Sequence, residues 1–145
     1  MKVTILDTEP NEEDEIIIKC HYLDDDMLKL INYFKHGSRK LPAYKDGRMF
    51  FLEPQEVFYF ESVEQRVFAY CKRDVYQVKN KLYELMEELP RRDFIRASKS
   101  IILNLNKITS LAPAFGGRYE ALLENQEKVI ISRQYIGALK EKLGV

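Results

Sequence analysis

The sequence has few cysteines and no long apolar run. Only Cys20 and Cys71 are cysteine among its 145 residues, and two thiols cannot supply the disulfide framework of a small secreted domain. No apolar stretch approaches the roughly 18 residues that cross a membrane, and the N-terminus lacks the apolar core of a signal peptide. These absences predict a soluble, reduced, cytoplasmic protein without direct membrane insertion.

An excess of charge of one sign is also missing. Lys and Arg together number 23, as do Asp and Glu, and this zero net charge argues mildly against a strong polyanion binder. The charges are distributed unevenly, because residues 1–43 carry six basic and nine acidic side chains while residues 44–145 carry seventeen and fourteen. Scattered surface charge explains this difference of sign as well as a basic binding surface does.

Catalytic motifs are absent as well. The sequence contains no G-x-S-x-G elbow, P-loop, G-x-G-x-x-G or H-E-x-x-H run. Its two histidines, His21 and His36, have no Cys, Ser or Asp partner at a diagnostic spacing. The acidic run of residues 24–26 is better explained by helix capping than by cation binding. We therefore expect a protein that is not an enzyme and that carries no metal or cofactor.

The first 43 residues are typical of two strands followed by a helix. Val3–Leu6 and Ile16–Tyr22 are rich in β-branched residues, which predicts strands. The carboxylates of residues 24–26 favour a helix start, Gly37 favours its end, and residues 37–43 form the candidate linker. Apolar residues at i, i+3, i+4 and i+7 give this helix one apolar stripe, formed by Met27, Leu30, Ile31 and Phe34.

From Tyr44 onward the pattern changes to short strands with frequent turns. Asp46-Gly47 and Gly116-Gly117 are typical of hairpin turns. The strand candidates are residues 57–61, 67–71, 75–78, 94–97, 100–105 and 107–111. Crossover helices between successive strands, which a parallel sheet needs, are missing. The sequence therefore predicts an α+β fold of mainly antiparallel small sheets with short helices.

Two helices are predicted within this β-rich region. The first has Asn80 as its cap and ends at Pro90, and the second follows Ser132 and ends at Gly144. Each has an apolar stripe that we expect to be buried. The stripes are Leu82, Leu85, Met86 and Leu89 in the first helix, and Tyr135, Ile136, Leu139 and Leu143 in the second.

Three segments of the β-rich region carry a family resemblance. Residues 94–104, F-I-R-A-S-K-S-I-I-L-N, resemble the signature of the LytTR-type DNA-binding domain of bacterial transcriptional regulators. Residues 57–61, V-F-Y-F-E, resemble an early strand of that family, and residues 130–135, I-I-S-R-Q-Y, resemble its closing Ser-Arg element. The three occur in the family's order and spacing. The resemblance covers residues 44–145, which we take as one DNA-binding domain.

The resemblance implies that loops, rather than a recognition helix, read successive major grooves of DNA. By position, the contact residues are Gln65 and Arg66 in the first loop, Ser98 and Lys99 in the second, and Arg133 at the start of the last helix. Ser98 stands where the family usually has histidine. A positive charge beside hydroxyl and amide donors suits phosphate oxygens. We expect Arg96 to have a structural role and Asn104 to bond the backbone.

The resemblance also implies partners and an organisation. Residues 1–43 are far too few for the receiver domain that many such regulators carry, so the chain resembles the short, stand-alone regulators. Their partners are double-stranded DNA, a second copy of the chain and, for some, a membrane-bound inhibitor. The extension of residues 1–43 has three open roles: extending a sheet, forming a homodimer or receiving an inhibitor. The alternative function is a protein–protein interaction module that binds no DNA.

Overall fold

The computed structural model describes residues 2–36 and 40–145. The chain divides into two compact units, residues 1–37 and residues 38–145. Within the described part of the chain, no helix is long and apolar enough to cross a membrane.

The first unit contains one helix among its described residues, α1 (Asp25–His36). Asp24 caps it, because the Asp24 Oδ1 accepts a hydrogen bond of 2.8 Å from the backbone N–H of Met27. The predicted acidic start is therefore confirmed, whereas the helix stop predicted at Gly37 lies outside the described residues.

The two strands predicted before this helix are wrong. Residues 2–24 contain no strand, although Val3–Leu6 and Ile16–Tyr22 have the composition of strands. The preference of β-branched residues for strands depends on packing against a neighbouring strand. Local composition alone therefore does not turn these two runs into a sheet.

The second unit consists mainly of short antiparallel strands. A larger sheet has the strand order β2-β1-β5-β4-β3-β7-β6, and a smaller sheet has the order β10-β9-β8. Every pairing in both sheets is antiparallel, which confirms the α+β class. The strands are β1 (Leu41–Lys45), β2 (Arg48–Leu52), β3 (Tyr59–Val63), β4 (Arg66–Tyr70), β5 (Val75–Val78), β6 (Phe94–Arg96), β7 (Ile101–Asn104), β8 (Ile108–Pro113), β9 (Tyr119–Leu123) and β10 (Lys128–Ile131).

Strand β1 begins earlier than the sequence indicated. Asp46 and Gly47 form the predicted turn, with φ angles of 50° and 73°, and this turn pairs β1 with β2 from Leu41 to Leu52. Leu41 and Ala43 are buried in the core of the second unit. Residues 41–43, which the sequence assigned to the linker, therefore belong to the β-rich unit.

Helix α2 (Leu82–Glu88) covers one face of the larger sheet. Leu82, Leu85 and Leu89 are buried and Met86 packs against them, so the predicted apolar stripe is confirmed. The N-cap is Lys81 rather than Asn80. The Lys81 backbone N–H donates to Glu84 Oε1 at 3.0 Å, and this bond fixes the helix start one residue later than predicted.

Helix α3 (Arg133–Leu143) and the smaller sheet form a second core on the other face of β3, β6 and β7. Ile136 and Leu139 are buried, whereas Leu143 is 39% exposed and does not join this core as predicted. Gly144 has a φ of 73° and ends the helix, because glycine adopts this left-handed conformation at low cost.

Asn104 is a buried polar residue between these elements. Its Nδ2 donates to the Val57 carbonyl oxygen at 2.9 Å, and its Oδ1 accepts from the Asn106 N–H at 3.0 Å. These bonds confirm the expected backbone-bonding role, and they leave the side chain no access to a ligand.

Candidate nucleic-acid interface

The loop of residues 97–100, between β6 and β7, joins the three segments that the sequence analysis selected. On one side the Ser62 N–H, near the tip of the β3–β4 hairpin, donates to the Ser100 carbonyl at 2.8 Å. On the other side the Ser132 N–H, immediately before α3, donates to the Ala97 carbonyl at 2.7 Å. The hairpin and the start of α3 therefore flank this loop at one end of the domain.

The loop itself is braced by its own hydrogen bonds. The Ser100 N–H donates to the Ser98 Oγ at 3.2 Å, and the Arg96 guanidinium donates to the Lys99 carbonyl at 2.7 Å. Arg96 thus has a structural contact, while the Lys99 side chain is exposed. The arrangement holds the loop backbone in place and leaves the Lys99 ammonium directed to solvent.

The tip of the β3–β4 hairpin is a tight turn of two residues. Glu64 and Gln65 have φ angles of 51° and 66°, and Val63 pairs with Arg66 across the turn. Positive φ at both central residues matches the right-handed twist of the strands. Gln65 and Arg66 are both exposed, and the hydrogen bond to the neighbouring loop is made by Ser62 rather than by either of them.

Arg133 is the first residue of α3 and is exposed. A Cβ built on Gly117 would stand 2.8 Å from the Arg133 Cδ and 3.3 Å from its Cγ, so the aliphatic part of the arginine lies directly on that glycine. The N-cap, Ser132, makes no side-chain capping bond. Its side chain instead lines a shallow groove together with Ser98 and Arg118.

Besides Arg96, whose guanidinium donates to the Lys99 carbonyl, four basic side chains at this end of the domain lack an acidic partner. In residues 2–36 and 40–145, the ion pairs involve other residues, such as Lys128 with Glu120 at 3.6 Å. The Glu61 carboxylate beside the groove accepts a hydrogen bond from the Tyr70 hydroxyl at 3.3 Å. The four unpaired cations are Arg66, Lys99, Arg118 and Arg133.

The tyrosines beside the groove remain neutral. The rings of Tyr59 and Tyr70 stack with centroids 4.4 Å apart. Burial, followed by a hydrogen bond to Glu127, raises the pKa of Tyr59 above its usual range. Burial, followed by the charge of Glu61, also raises the pKa of Tyr70. The Glu127 and Glu61 carboxylates therefore favour the protonated hydroxyl of the tyrosine beside each of them.

Comparison with known proteins identifies the family. A model described as the LytTr DNA-binding domain matches residues 47–144. The chain belongs to the LytTr DNA-binding domain family. The LytTr domain therefore accounts for nearly all of the second unit, and the resemblance found in the sequence is confirmed together with its function class, a DNA-binding transcription regulator.

Relatives of this LytTr protein include two kinds of chain. It is 30% identical over 108 residues to the sensory transduction protein LytT of Enterococcus faecalis, covering 74% of this chain but only 45% of that relative. It is 28% identical over 147 residues to an HTH-type transcriptional regulator of Staphylococcus aureus, covering 100% of this chain and 99% of the relative. The second similarity includes the extension as well as the LytTr domain.

A solved structure shares the fold. The LytTr DNA-binding domain of a putative methyl-accepting/DNA response regulator from Bacillus cereus has a TM-score of 0.71 to this chain, at 23% identity. The similarity covers 75% of this chain and 100% of the solved chain.

The described helices of our LytTr protein are separated along the chain by strands, so in these residues no two consecutive helices form a helix-turn-helix motif.

Sequence reasoning missed Arg118 as a member of this LytTr surface. The predicted turn at Gly116 and Gly117 is confirmed, with φ angles of 77° and 75°, but nothing in the sequence marks the arginine that follows as a contact residue. Its proximity to Ser98 and Ser132 depends on how the smaller sheet packs against the larger one. The only local signal is a Gly-Gly-Arg turn before a strand that begins with tyrosine. This pattern does not indicate that Arg118 lies near residues that are distant in the sequence.

Proposed function

We propose that this protein regulates transcription by binding specific DNA sites through the loops at one end of its LytTr domain. The observation that carries the proposal is the group of unpaired cations on the three adjoining segments, namely Arg66, Lys99 and Arg133. Unpaired arginines and lysines on one surface suit the phosphates and base edges of DNA. Gln65 and Ser98 supply uncharged donors and acceptors beside them.

The contacts have different roles. Arg133 projects from the first residue of α3, where free helix N–H groups already attract phosphate, and its planar guanidinium can bind the O6 and N7 of guanine bidentately. Lys99 is a flexible point charge on a braced loop, which suits a phosphate. We assign the recognition of DNA bases to Arg133. Contacts with the DNA backbone are assigned to Lys99, Ser98, Gln65 and Arg66.

The finer assignments complete the proposal. The protein acts in the cytoplasm as a homodimer on repeated half-sites, and it performs no catalysis and needs no cofactor. The extension of residues 1–43 serves dimerisation or regulation, and a membrane-bound inhibitor is a further partner. A role for the extension is supported by the Staphylococcus aureus relative, because its similarity to this chain covers residues 1–43 as well as the LytTr domain.

A salt titration of DNA binding tests the proposal. The parent protein is first used to select duplexes from a random pool, and its affinity for the selected duplex is then measured at several salt concentrations. We expect log K to fall by about 0.9 per phosphate neutralised for each unit of log salt. Footprinting on the DNA upstream of its own gene locates a natural site. A folded protein that selects no duplex and binds none would contradict the proposal and favour the interaction module.

A further inference from the structure

The connection between β8 and β9 exposes a phenylalanine. Phe115 is 94% exposed, more than any other large apolar side chain among the described residues. The Ala114 N–H donates to the Arg118 carbonyl at 2.8 Å, so the four residues 115–118 form a closed turn. Gly116 and Gly117, both with positive φ, reverse the chain and leave the ring at the tip. We call residues 115–118 the Phe115 turn.

A single exposed apolar side chain is common on protein surfaces, so the position of the Phe115 turn matters more than the exposure. Gly117 lies under the side chain of Arg133, with its built Cβ 2.8 Å from the Arg133 Cδ. Phe115 is two residues away, and two Cα steps span at most about 7.6 Å. The turn that carries the ring therefore also carries the glycine on which Arg133, to which we assign base reading, rests.

The other end of the turn carries a charge. Arg118 lines the groove that also contains Ser98 and Ser132, and like Arg66, Lys99 and Arg133 it has no acidic partner among the described residues. A partner for the turn must therefore offer both negative charge and an apolar surface close together. Duplex DNA has both, since phosphates flank the sugars and the thymine methyl groups of the major groove, which apolar side chains such as phenylalanine contact.

We propose that the Phe115 turn is a further DNA-contacting element, in which Arg118 binds a backbone phosphate and the Phe115 ring packs against sugar or base surface. The inference rests on the proposed function, because it places the same duplex beside Arg133. The surrounding cations favour DNA over a protein partner for the ring.

The two contacts have different salt signatures, which the experiment uses. The loss of a phosphate contact lowers the slope of log K against log salt by about one, whereas the loss of an apolar contact releases no counterion. We therefore expect Phe115→Ala to weaken binding on the order of tenfold, as the truncation of an interface residue that carries binding energy does, at an unchanged slope. Arg118→Ala should weaken binding to specific and scrambled duplexes alike and lower the slope.

Matched controls come from the opposite face and the opposite end of the domain. Tyr83 is an exposed aromatic residue on α2, which packs on the other face of the larger sheet. The Arg92 side chain is 79% exposed and precedes β6, at the end of that strand away from residue 97. Tyr83→Ala and Arg92→Ala should bind within about twofold of the parent, as expected for sites outside the interface.

The measurement is fluorescence anisotropy of the full-length variants on the duplex selected by the parent, after circular dichroism has shown an intact fold. Phe115→Ala that matches the parent in affinity at every salt concentration would overturn the inference while leaving the proposed function standing. A parent that binds no duplex would overturn both. A tenfold loss for Phe115→Ala with full binding by Tyr83→Ala would support the proposal.

Discussion

The side chain of Arg133 rests on Gly117, so the start of α3 and the β8–β9 turn constrain each other. A Cβ at residue 117 would stand only 2.8 Å from the Arg133 Cδ, closer than side-chain carbons approach one another. Gly117 also has a φ of 75°, which side chains adopt at a cost of about 1–2 kcal/mol. A side chain at residue 117 would therefore strain the backbone and force the exposed Arg133 side chain to move.

This contact predicts different effects for alanine at two adjacent glycines. Gly117→Ala should displace Arg133 and lower the ratio of specific to scrambled DNA affinity several-fold. Gly116→Ala is the matched control, because Gly116 has a similar φ of 77° but nothing lies within 4 Å of its built Cβ. Both variants should lose similar stability in urea unfolding. Equal specificity ratios for the two variants would show that the position of Arg133 does not depend on Gly117.

The core under α2 predicts a stability difference within one helix. Leu85 is fully buried, so Leu85→Ala should lower the free energy of unfolding by about 2–5 kcal/mol. Glu87 is exposed, and Glu87→Ala should change it by at most about 0.5 kcal/mol. Glu84→Ala should fall between them, because Glu84 accepts the Lys81 N–H. Urea titration measures all three, and equal midpoints for Leu85→Ala and Glu87→Ala would contradict the described packing.

How far the sequence predicts the fold depends on how local the signal is. The stripe of α2, the Asp46-Gly47 turn and the glycine end of α3 are local patterns, and each is confirmed. The sequence assigns residues 41–43 to a linker, yet their pairing with β2 places them in the sheet. For Val3–Leu6 the error is the reverse: the composition predicts a strand, but the described residues of the first unit contain no strand with which it could pair.

The sequence predicts individual residues of the candidate site, but it does not predict that they lie on one surface. Lys99 and Arg133 were found through motifs that span a few residues each. Their common surface depends on strand order, because β7 pairs with β3 and the residue after β6 bonds Ser132. Such contacts join residues more than 30 positions apart, so no local pattern contains them. Arg118 was missed for this reason.

The division of the chain predicts that a fragment of residues 40–145 folds without the extension. Leu41 and Ala43 are buried in its core, so a shorter fragment of residues 44–145 should be less stable in urea. We expect the longer fragment to retain binding to a single half-site and to lose affinity on paired sites, as the proposed role of the extension in dimerisation requires. A folded 40–145 fragment without preference for the selected duplex would argue that the extension itself contributes to DNA reading.

The most direct measurement compares Arg133→Ala with Lys99→Ala on specific and scrambled duplexes at several salt concentrations, with Arg92→Ala as the control. We predict that Arg133→Ala loses about 1–3 kcal/mol of discrimination between the two duplexes. Lys99→Ala should weaken both duplexes equally and lower the salt slope by about one, and Arg92→Ala should bind like the parent. If Arg133→Ala binds both duplexes as tightly as the parent does, Arg133 does not read DNA and the loop surface described above is not the interface.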